Sequence, residues 1–284
     1  MDNNFKKMDN YIIYTDHIIG KGSFGTVYLA HDKKNKQLVG VKIESKKDTT
    51  LLLREYNLIK FIHAQEGCKN NIIKHHLLLN DNNSYYMFMD LYGPNLDCLH
   101  KQHNRQFDVD MLNSIIVQMS NAIKFCHKIG IVHRDIKPAN FMTRFCAPHT
   151  NIYLCDFGLA KKYICKGEHI PYKTNVARVG SLRYMSKFTH RSIQVSCRDD
   201  MYSLVYVIIF LATGDLPWSN NEIINKDKSQ KHNVLYCLKT NTTNKNLCKD
   251  IKNSILHSKL IEFLTHLDTL EFKDKINYDI IYML

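Results

Sequence analysis

The sequence predicts an α+β chain of two lobes, a small β-rich N-terminal one with a single main helix and a larger, mostly helical C-terminal one. Three observations predict it. Glycine-punctuated, alternating segments crowd into the first 91 residues with one helical pattern among them. Helical spacing then dominates residues 92–284, interrupted by one long aperiodic stretch. Between the two halves an aromatic run, 85–91, breaks at Tyr92-Gly93-Pro94 and reads as their connection. No internal repeat or linker cuts off a further unit, so residues 1–284 are expected to form one domain.

Composition excludes several classes. A hydrophobic content of 44% and a charged content of 23% are those of an ordinary globular chain. The longest apolar run, 204–212, falls far short of the ~20 residues that span a bilayer. Residues 1–10 are polar and carry acids, unlike a secretory signal, and Asp2 offers no myristoylation site. The 9 cysteines form no C-x-x-C, so reduced thiols in cytoplasm or nucleus are expected rather than a disulfide framework. A net charge of +12 suits an anionic partner, or simply a Lys- and Asn-rich surface. No nucleic-acid motif accompanies it, so nucleic-acid binding is not supported, and a monomer is expected.

Residues 11–18 form an apolar strand leading into Gly20-Lys21-Gly22-Ser23-Phe24-Gly25, and 27–30 alternate as the next strand. Strand, glycine turn, strand lets backbone N–H groups approach phosphates with no Cβ in the way. A dinucleotide fold would continue into a helix and present an acid about 20 residues on; here Lys42 follows on a strand, in V-G-V-K-I-E. Residues 49–64 have helical spacing through Leu51, Leu52, Leu58, Ile59 and Ile62, with Glu55 on or beside the apolar face. A carboxylate there needs a partner. Lys42 is expected to supply it, in preference to Arg54 or Lys60 along the helix.

Residues 107–129 form a strong helix, capped by Asp108 or Asp110, with one stripe of Leu112, Ile115, Ile116, Met119, Ile123 and Cys126, and stopped by Gly130. His127 is assigned packing at the helix end. There follows I-V-H-R-D-I-K-P-A-N-F-M and, after a spacer, I-Y-L-C-D-F-G. Asp135 and Asn140 share a tight loop with Lys137 between them, and Asp156 follows an apolar strand end. Phosphoryl transfer wants one carboxylate to orient an attacking hydroxyl, and an amide and a second carboxylate to hold Mg²⁺. Asp135 suits the first role and Asn140 with Asp156 the second, while Lys137 steadies the γ-phosphate. Every position of the H-R-D-x-x-x-x-N and D-F-G pair of eukaryotic protein kinases is filled.

ATP with Mg²⁺ is therefore expected. Ile19, Gly20, Lys21, Gly22, Ser23, Phe24, Gly25 and Val27 would cover the nucleotide. Lys42, held by Glu55, would grip the α- and β-phosphates. Met89 would form an apolar wall, and the backbone of Asp90, Leu91 and Tyr92 would face the adenine edge. Residues 159–186, polar and basic, read as a substrate-facing segment. Residues 198–213 are apolar nearly all round and predict a buried helix, with Asp200 hydrogen-bonding backbone N–H groups of the catalytic loop. A turn at 214–218 leads into 220–250, rich in Asn, Lys and Thr and the least informative stretch, with room for a loop. Helical spacing returns in 251–284 through Ile255, Leu260, Ile261, Leu264 and Leu267.

Further motifs narrow the reading: L-Y-G-P-N-L at 91–96, D-F-G-L-A-K-K-Y at 156–163, H-I-P-Y at 169–172, G-S-L-R-Y-M-S at 180–186 with no A-P-E, C-R-D-D at 197–200 and L-P-W at 216–218. On these the chain resembles the casein kinase I family of serine/threonine protein kinases over nearly its whole length, 11–284. The related vaccinia-type kinases usually carry Gly where Arg134 stands. The resemblance implies a two-lobed kinase fold and transfer to Ser or Thr of acidic or phosphorylated protein substrates. It also implies an anion site. Lys173 stands after H-I-P-Y where the family has Arg, keeping the charge without the bidentate fork. Arg183 matches the family's R-Y, and Lys228 or Lys231 stands for a lysine after L-P-W. Gly40 replaces the usual Ala before Lys42, and Val205 stands where the family tends to have Gly. The chain ends close to the end of such a domain, so autoinhibition by a tail is not expected. A scaffold that keeps the fold without catalysis is disfavoured, because no catalytic position is lost.

Overall fold

The computed structural model describes residues 4–22, 25–46, 51–67, 71–145, 151–219 and 227–282. The N-terminal lobe is a curled antiparallel sheet of β1 (Phe5–Met8), β2 (Tyr11–Gly22), β3 (Gly25–Asp32), β4 (Gln37–Ser45), β5 (His75–Asn80) and β6 (Ser84–Asp90), in the spatial order β1-β2-β3-β4-β6-β5. Alternation along the strands gathers Tyr11, Ile13, Ala30, Val39, Val41, Tyr86 and Phe88 into one buried cluster, with Tyr11 stacked 3.9 Å from Phe88. The one helix among the described residues of this lobe, α1 (Leu51–His63), packs against β5 and β6. Its Ile59 and Ile62 belong to the larger core of the second lobe, so apolar packing is continuous between the lobes.

After β7 (Tyr92–Asn95) the chain becomes mainly helical, with α2 (Leu96–Gln102) and α3 (Val109–Lys128). Asp108 caps α3 by accepting from the Met111 N–H at 2.7 Å, and the whole expected stripe is buried. The short strands β8 (Ile131–Val132), β9 (Phe141–Arg144) and β10 (Ile152–Leu154) frame the loop that carries Asp135. Three strand fragments follow, β11 (Lys161–Lys162), β12 (Ile164–Cys165) and β13 (Glu168–His169), where the sequence showed no periodicity. Then come α4 (Lys187–His190) and α5 (Cys197–Thr213), which is buried on every side from Cys197 to Leu211.

The C-terminal end departs from expectation. Residues 220–226 lie outside the described residues, but the rest of the Asn/Lys/Thr-rich stretch is α6 (Lys228–Asn241) and α7 (Asn244–Cys248). The signal was in the caps rather than the periodicity: Asp227 accepts from the Gln230 N–H at 2.8 Å and Thr243 from the Asn246 N–H at 3.2 Å. The closing helices are α8 (Ser254–Thr269) and α9 (Asp279–Tyr282). Leu260, Leu264 and Leu267 face the core as expected, whereas Ile255, in the first turn, is 62% exposed.

One carboxylate joins α5 to the catalytic loop. Asp200 Oδ2 accepts from the His133 N–H at 2.7 Å and Oδ1 from the Arg134 N–H at 2.8 Å. His127, from the last turn of α3, places Nε2 3.0 Å from Asp200 Oδ2 and Nδ1 2.6 Å from the Tyr278 hydroxyl. Burial disfavours the charged imidazole, but Cys197, Tyr278 and Asp200 outweigh it and hold its pKa well above the ordinary 6.5. Burial likewise works against the Asp200 carboxylate, and bonds from His127 and His133 outweigh it, so its pKa is lowered from 3.8.

Removing one partner of such a pair leaves the other charge buried alone, so Asp200→Ala is expected to lower the unfolding free energy by about 3–5 kcal/mol. The raised pKa of His127 makes its contribution complete below pH 6.5 and lost as pH rises through the folded value. The lowered pKa of Asp200 makes its contribution complete above pH 3.8 and lost as pH falls through the folded value. Urea melts between about pH 5 and pH 9 should show an alkaline decline in stability that His127→Gln removes. An identical pH profile for the two proteins would contradict a charged His127.

Candidate active site

The upper wall of the site is built by register. Antiparallel pairing sets Val27 opposite Lys42 and Gly20 opposite Val27, with Gly22 facing Gly25 at the turn. Gly25 has φ +145°, and a Cβ there would lie 2.6 Å from the Ile43 carbonyl oxygen, so the turn closes only with glycine. Ser23 and Phe24 lie outside the described residues; Lys21 is exposed beside Thr26. Ile19 Cδ1, Val27 Cγ1 and Met89 Cγ converge on Gly40, lying 3.7, 3.7 and 3.4 Å from where a Cβ would be. The glycine thus leaves a methyl-sized recess among three apolar side chains.

Asp90, Leu91 and Tyr92 form the strip between β6 and β7. The Asp90 N–H donates to the Lys74 carbonyl at 3.2 Å, and its carboxylate meets His76 Nε2 at 2.6 Å. The Lys74 N–H donates to the Tyr92 hydroxyl at 2.8 Å. The strip is therefore held from β5 and from the residue before it.

Lys42 Nζ lies 2.8 Å from Glu55 Oε2 and 3.4 Å from Asp156 Oδ1. Burial alone would lower its pKa, but the Glu55 and Asp156 charges raise it above the ordinary value, so the ammonium is firmly charged. The other Glu55 oxygen accepts from the Phe157 N–H at 3.2 Å. One buried carboxylate thus ties α1 to β4 and to the start of the 156–158 turn. Asp156 has φ +61°, which aims its side chain at Lys42. Its pKa is lowered because Lys42, His133 and Lys137 outweigh burial.

Below, Asp135 is gripped from three directions. Lys137 Nζ donates to Oδ2 at 2.6 Å, Asn140 Nδ2 to the backbone oxygen at 2.8 Å, and the Ser181 N–H to Oδ1 at 2.8 Å. The Cys155 N–H donates to the Asn140 carbonyl at 2.9 Å, which brings Asp156 alongside. His133 completes the frame, with Nε2 3.0 Å from the Cys155 carbonyl and its ring edge-on to Phe157. The Asn140 amide nitrogen is spent on Asp135 and one Asp156 oxygen on Lys42. What remains is an amide oxygen and a carboxylate oxygen, hard donors that fit a divalent cation taking its other ligands from phosphates and water.

A glycine turn over a fixed lysine, with a carboxylate, a lysine and two oxygen donors on the facing loop, defines a nucleotide-dependent phosphotransferase. The chain belongs to the protein kinases: a family model described as a protein kinase domain matches residues 13–278. Such a domain implies ATP, a divalent metal and a protein as acceptor.

Of the four residues expected to bind substrate anions, Lys173, Arg183 and Lys231 are described with their side chains. Lys173 is exposed, and its charge acts on Lys161, whose pKa is lowered by burial, by Arg134 and by Lys173. Arg183 instead pairs with Asp215 at 2.6 Å and lies over the Phe210 ring at 4.7 Å. Lys231 is half-buried on α6, and the Lys228 side chain is outside the described residues. Sequence reasoning missed Arg134 and Lys161, the first acting on the second together with Lys173. Both stand inside motifs already given other meanings, H-R-D and D-F-G-L-A-K, which concealed their charge.

Replacing Lys42 with Met removes a charge-assisted contact worth about 1.5–3 kcal/mol. ATP affinity is expected to fall at least about tenfold, measurable by calorimetry. Unchanged ATP binding in a folded Lys42→Met protein would show that Lys42 does not reach the phosphates.

Proposed function

We propose that the chain is a serine/threonine kinase of casein kinase I type that uses ATP with Mg²⁺ and prefers acidic or already phosphorylated proteins. The observation that carries the substrate reading is the basic group around Lys161, on which the charges of Arg134 and Lys173 both act. Arg134 adjoins Asp135 in the chain, and Lys161 pairs with Val132 across β11 and β8, so the group stands at the catalytic loop. A phosphate or carboxylate on the substrate would relieve this repulsion. Arg183, already matched by Asp215, is a weaker candidate for the same task.

In this reading Asp135 orients the acceptor hydroxyl and takes its proton, its own carboxylate held still by Lys137 and Ser181. Lys137 stands where it can follow the transferred group, and Lys42 steadies the phosphates. Asn140 and Asp156 would hold the metal, which when bound neutralises phosphate charge. Catalysis rests on position and charge rather than covalent chemistry. A place in the cytoplasm or nucleus fits the free thiols Cys98, Cys126, Cys155, Cys165, Cys197, Cys237 and Cys248, and a monomer is part of the same reading.

Asp135→Asn is expected to lower kcat about 10²–10⁴-fold with ATP affinity nearly unchanged. The substrate rule is tested with two matched peptides, one carrying a phosphoserine N-terminal to the target serine and one a plain serine. Faster transfer to the phosphorylated peptide, lost in Lys161→Ala and Lys173→Ala, is the expected result. Equal transfer to both would leave a kinase without this preference.

A further inference from the structure

Lys239, near the end of α6, is buried within the Asn-, Lys- and Thr-rich stretch that the sequence left least defined. Its Nζ lies 2.7 Å from the Met185 carbonyl oxygen and 3.1 Å from those of Leu182 and Arg183. His190 Nε2 stands 3.2 Å away, and the rings of Tyr206 and Trp218 face it at 5.1 and 4.9 Å. A lysine in a protein interior ordinarily seeks a carboxylate. Here three carbonyl dipoles and two aromatic faces take that place. Trp218 adds a further bond to the same backbone, its Nε1–H donating to the Arg183 carbonyl at 2.9 Å.

The backbone held in this way is the stretch that touches Asp135. The Ser181 N–H donates to Asp135 Oδ1 at 2.8 Å. Gly180 has φ +96°, and a Cβ there would lie 2.4 Å from the Arg134 carbonyl oxygen, so the segment runs directly against the catalytic loop. From Asp135 the path runs through Ser181 to Leu182, Arg183 and Met185, and then to α6 at Lys239. Every step is a hydrogen bond or a few covalent bonds of one short segment. Removing Nζ would take one donor from each of three inward-turned carbonyls, of which that of Arg183 would keep Trp218, in a place closed to bulk water.

We propose that Lys239 is a positioning residue for phosphoryl transfer to the protein acceptor, acting through residues 181–185 on the place and orientation of the Asp135 carboxylate. The proposal rests on the reading of Asp135 as the group that orients the acceptor hydroxyl. The residues assigned to the nucleotide on β2, β3, β4 and β6 lie outside this path, so the effect should fall on the acceptor half of the reaction.

The test is Lys239→Met, of similar length but without charge, assayed on folded protein below its melting temperature. Peptide kcat/KM is expected to fall about 10²-fold, the scale on which small misplacements of reacting groups act. The KM for ATP should move by less than about twofold. Hydrogen exchange at the Ser181 amide should quicken, and Lys239→Arg, which keeps the donors, should recover part of the loss. A Lys239→Met protein with unchanged peptide kinetics and Ser181 exchange would overturn the proposal, as would parallel losses toward peptide and ATP. If Lys239→Met does not fold, Trp218→Phe, which removes only the further donor on Arg183, is measured in the same way. A shift in peptide kinetics and Ser181 exchange supports the proposal, and no shift in either overturns it. Asp135→Asn is run alongside. Full turnover there overturns the Asp135 reading itself, whereas loss there with none in Lys239→Met overturns only the role of Lys239.

Discussion

The Asp200 carboxylate is the contact on which the arrangement of the site depends. Arg134 has φ +70°, a left-handed backbone that a non-glycine residue adopts at a cost of about 1–3 kcal/mol. It is held there because Asp200 accepts both its N–H and that of His133, while the Arg134 Nε–H donates to the Leu159 carbonyl at 2.6 Å. That turn aims Asp135 into the cleft. A buried carboxylate needs a counter-charge, and His127 supplies it from a neighbouring helix, so α3, α5 and the loop are locked by one ionic centre. Its neighbours in the sequence extend the same logic. Asp199 accepts from the Ser196 N–H and bonds the Ser186 hydroxyl, fastening the end of residues 159–186 to the start of α5. Arg198 donates to the Leu270 carbonyl and stacks over Phe188 at 3.6 Å.

Glu55 plays the matching part above. Its two oxygens serve different masters, the Lys42 ammonium and the Phe157 N–H, so the position of α1 sets the lysine and the 156–158 turn together. A rotation of α1 away from the sheet would release both at once. The apolar link made by Ile59 and Ile62 with the larger core opposes that rotation. Packing and charge therefore favour the same placement of the helix, which is the consistency expected of a fold with one dominant state.

Much of this was legible in the sequence because the chemistry needs particular residue types at short spacings. The Lys42–Glu55 pair was inferred from a carboxylate that burial would otherwise penalise, Asp200 from its place near the start of a buried helix, and Asp135, Lys137 and Asn140 from the groups that phosphoryl transfer needs. Edge and contact order were harder. β1 is four residues with two lysines, and β5 opens with His75-His76, so neither shows the apolar alternation of an inner strand. α6 is stabilised by its cap and by Lys239 and Leu235 beneath α4 rather than by a continuous stripe. Ile255 misled in the opposite sense, since one apolar residue in a first turn need not face inward. A lysine among other lysines looks solvated, and only the fold shows that Lys239 is turned toward carbonyls. Arg183 carried the right charge for an anion site, but its matching carboxylate, Asp215, lies 32 residues further along the chain.

The basic excess of the chain is accordingly not one uniform surface field. Lys42, Arg198 and Lys239 are turned inward, and Lys101, Lys187 and Lys259 are paired with neighbouring acids. Arg134, Lys161 and Lys173 differ from both groups. The carboxylate that offsets Arg134 is Asp200, already committed to two backbone N–H groups and His127, and Lys161 feels its basic neighbours as repulsion. Elsewhere in the second lobe Lys101, Arg183, Lys187 and Lys259 have acid partners, yet beside Asp135 the fold places like charges near one another. That crowding is tolerated because the groups keep solvent contact, and any anion that enters gains what the repulsion withheld. The preference proposed for acidic substrates thus follows from where the fold leaves its charges unbalanced, and not from the net charge itself.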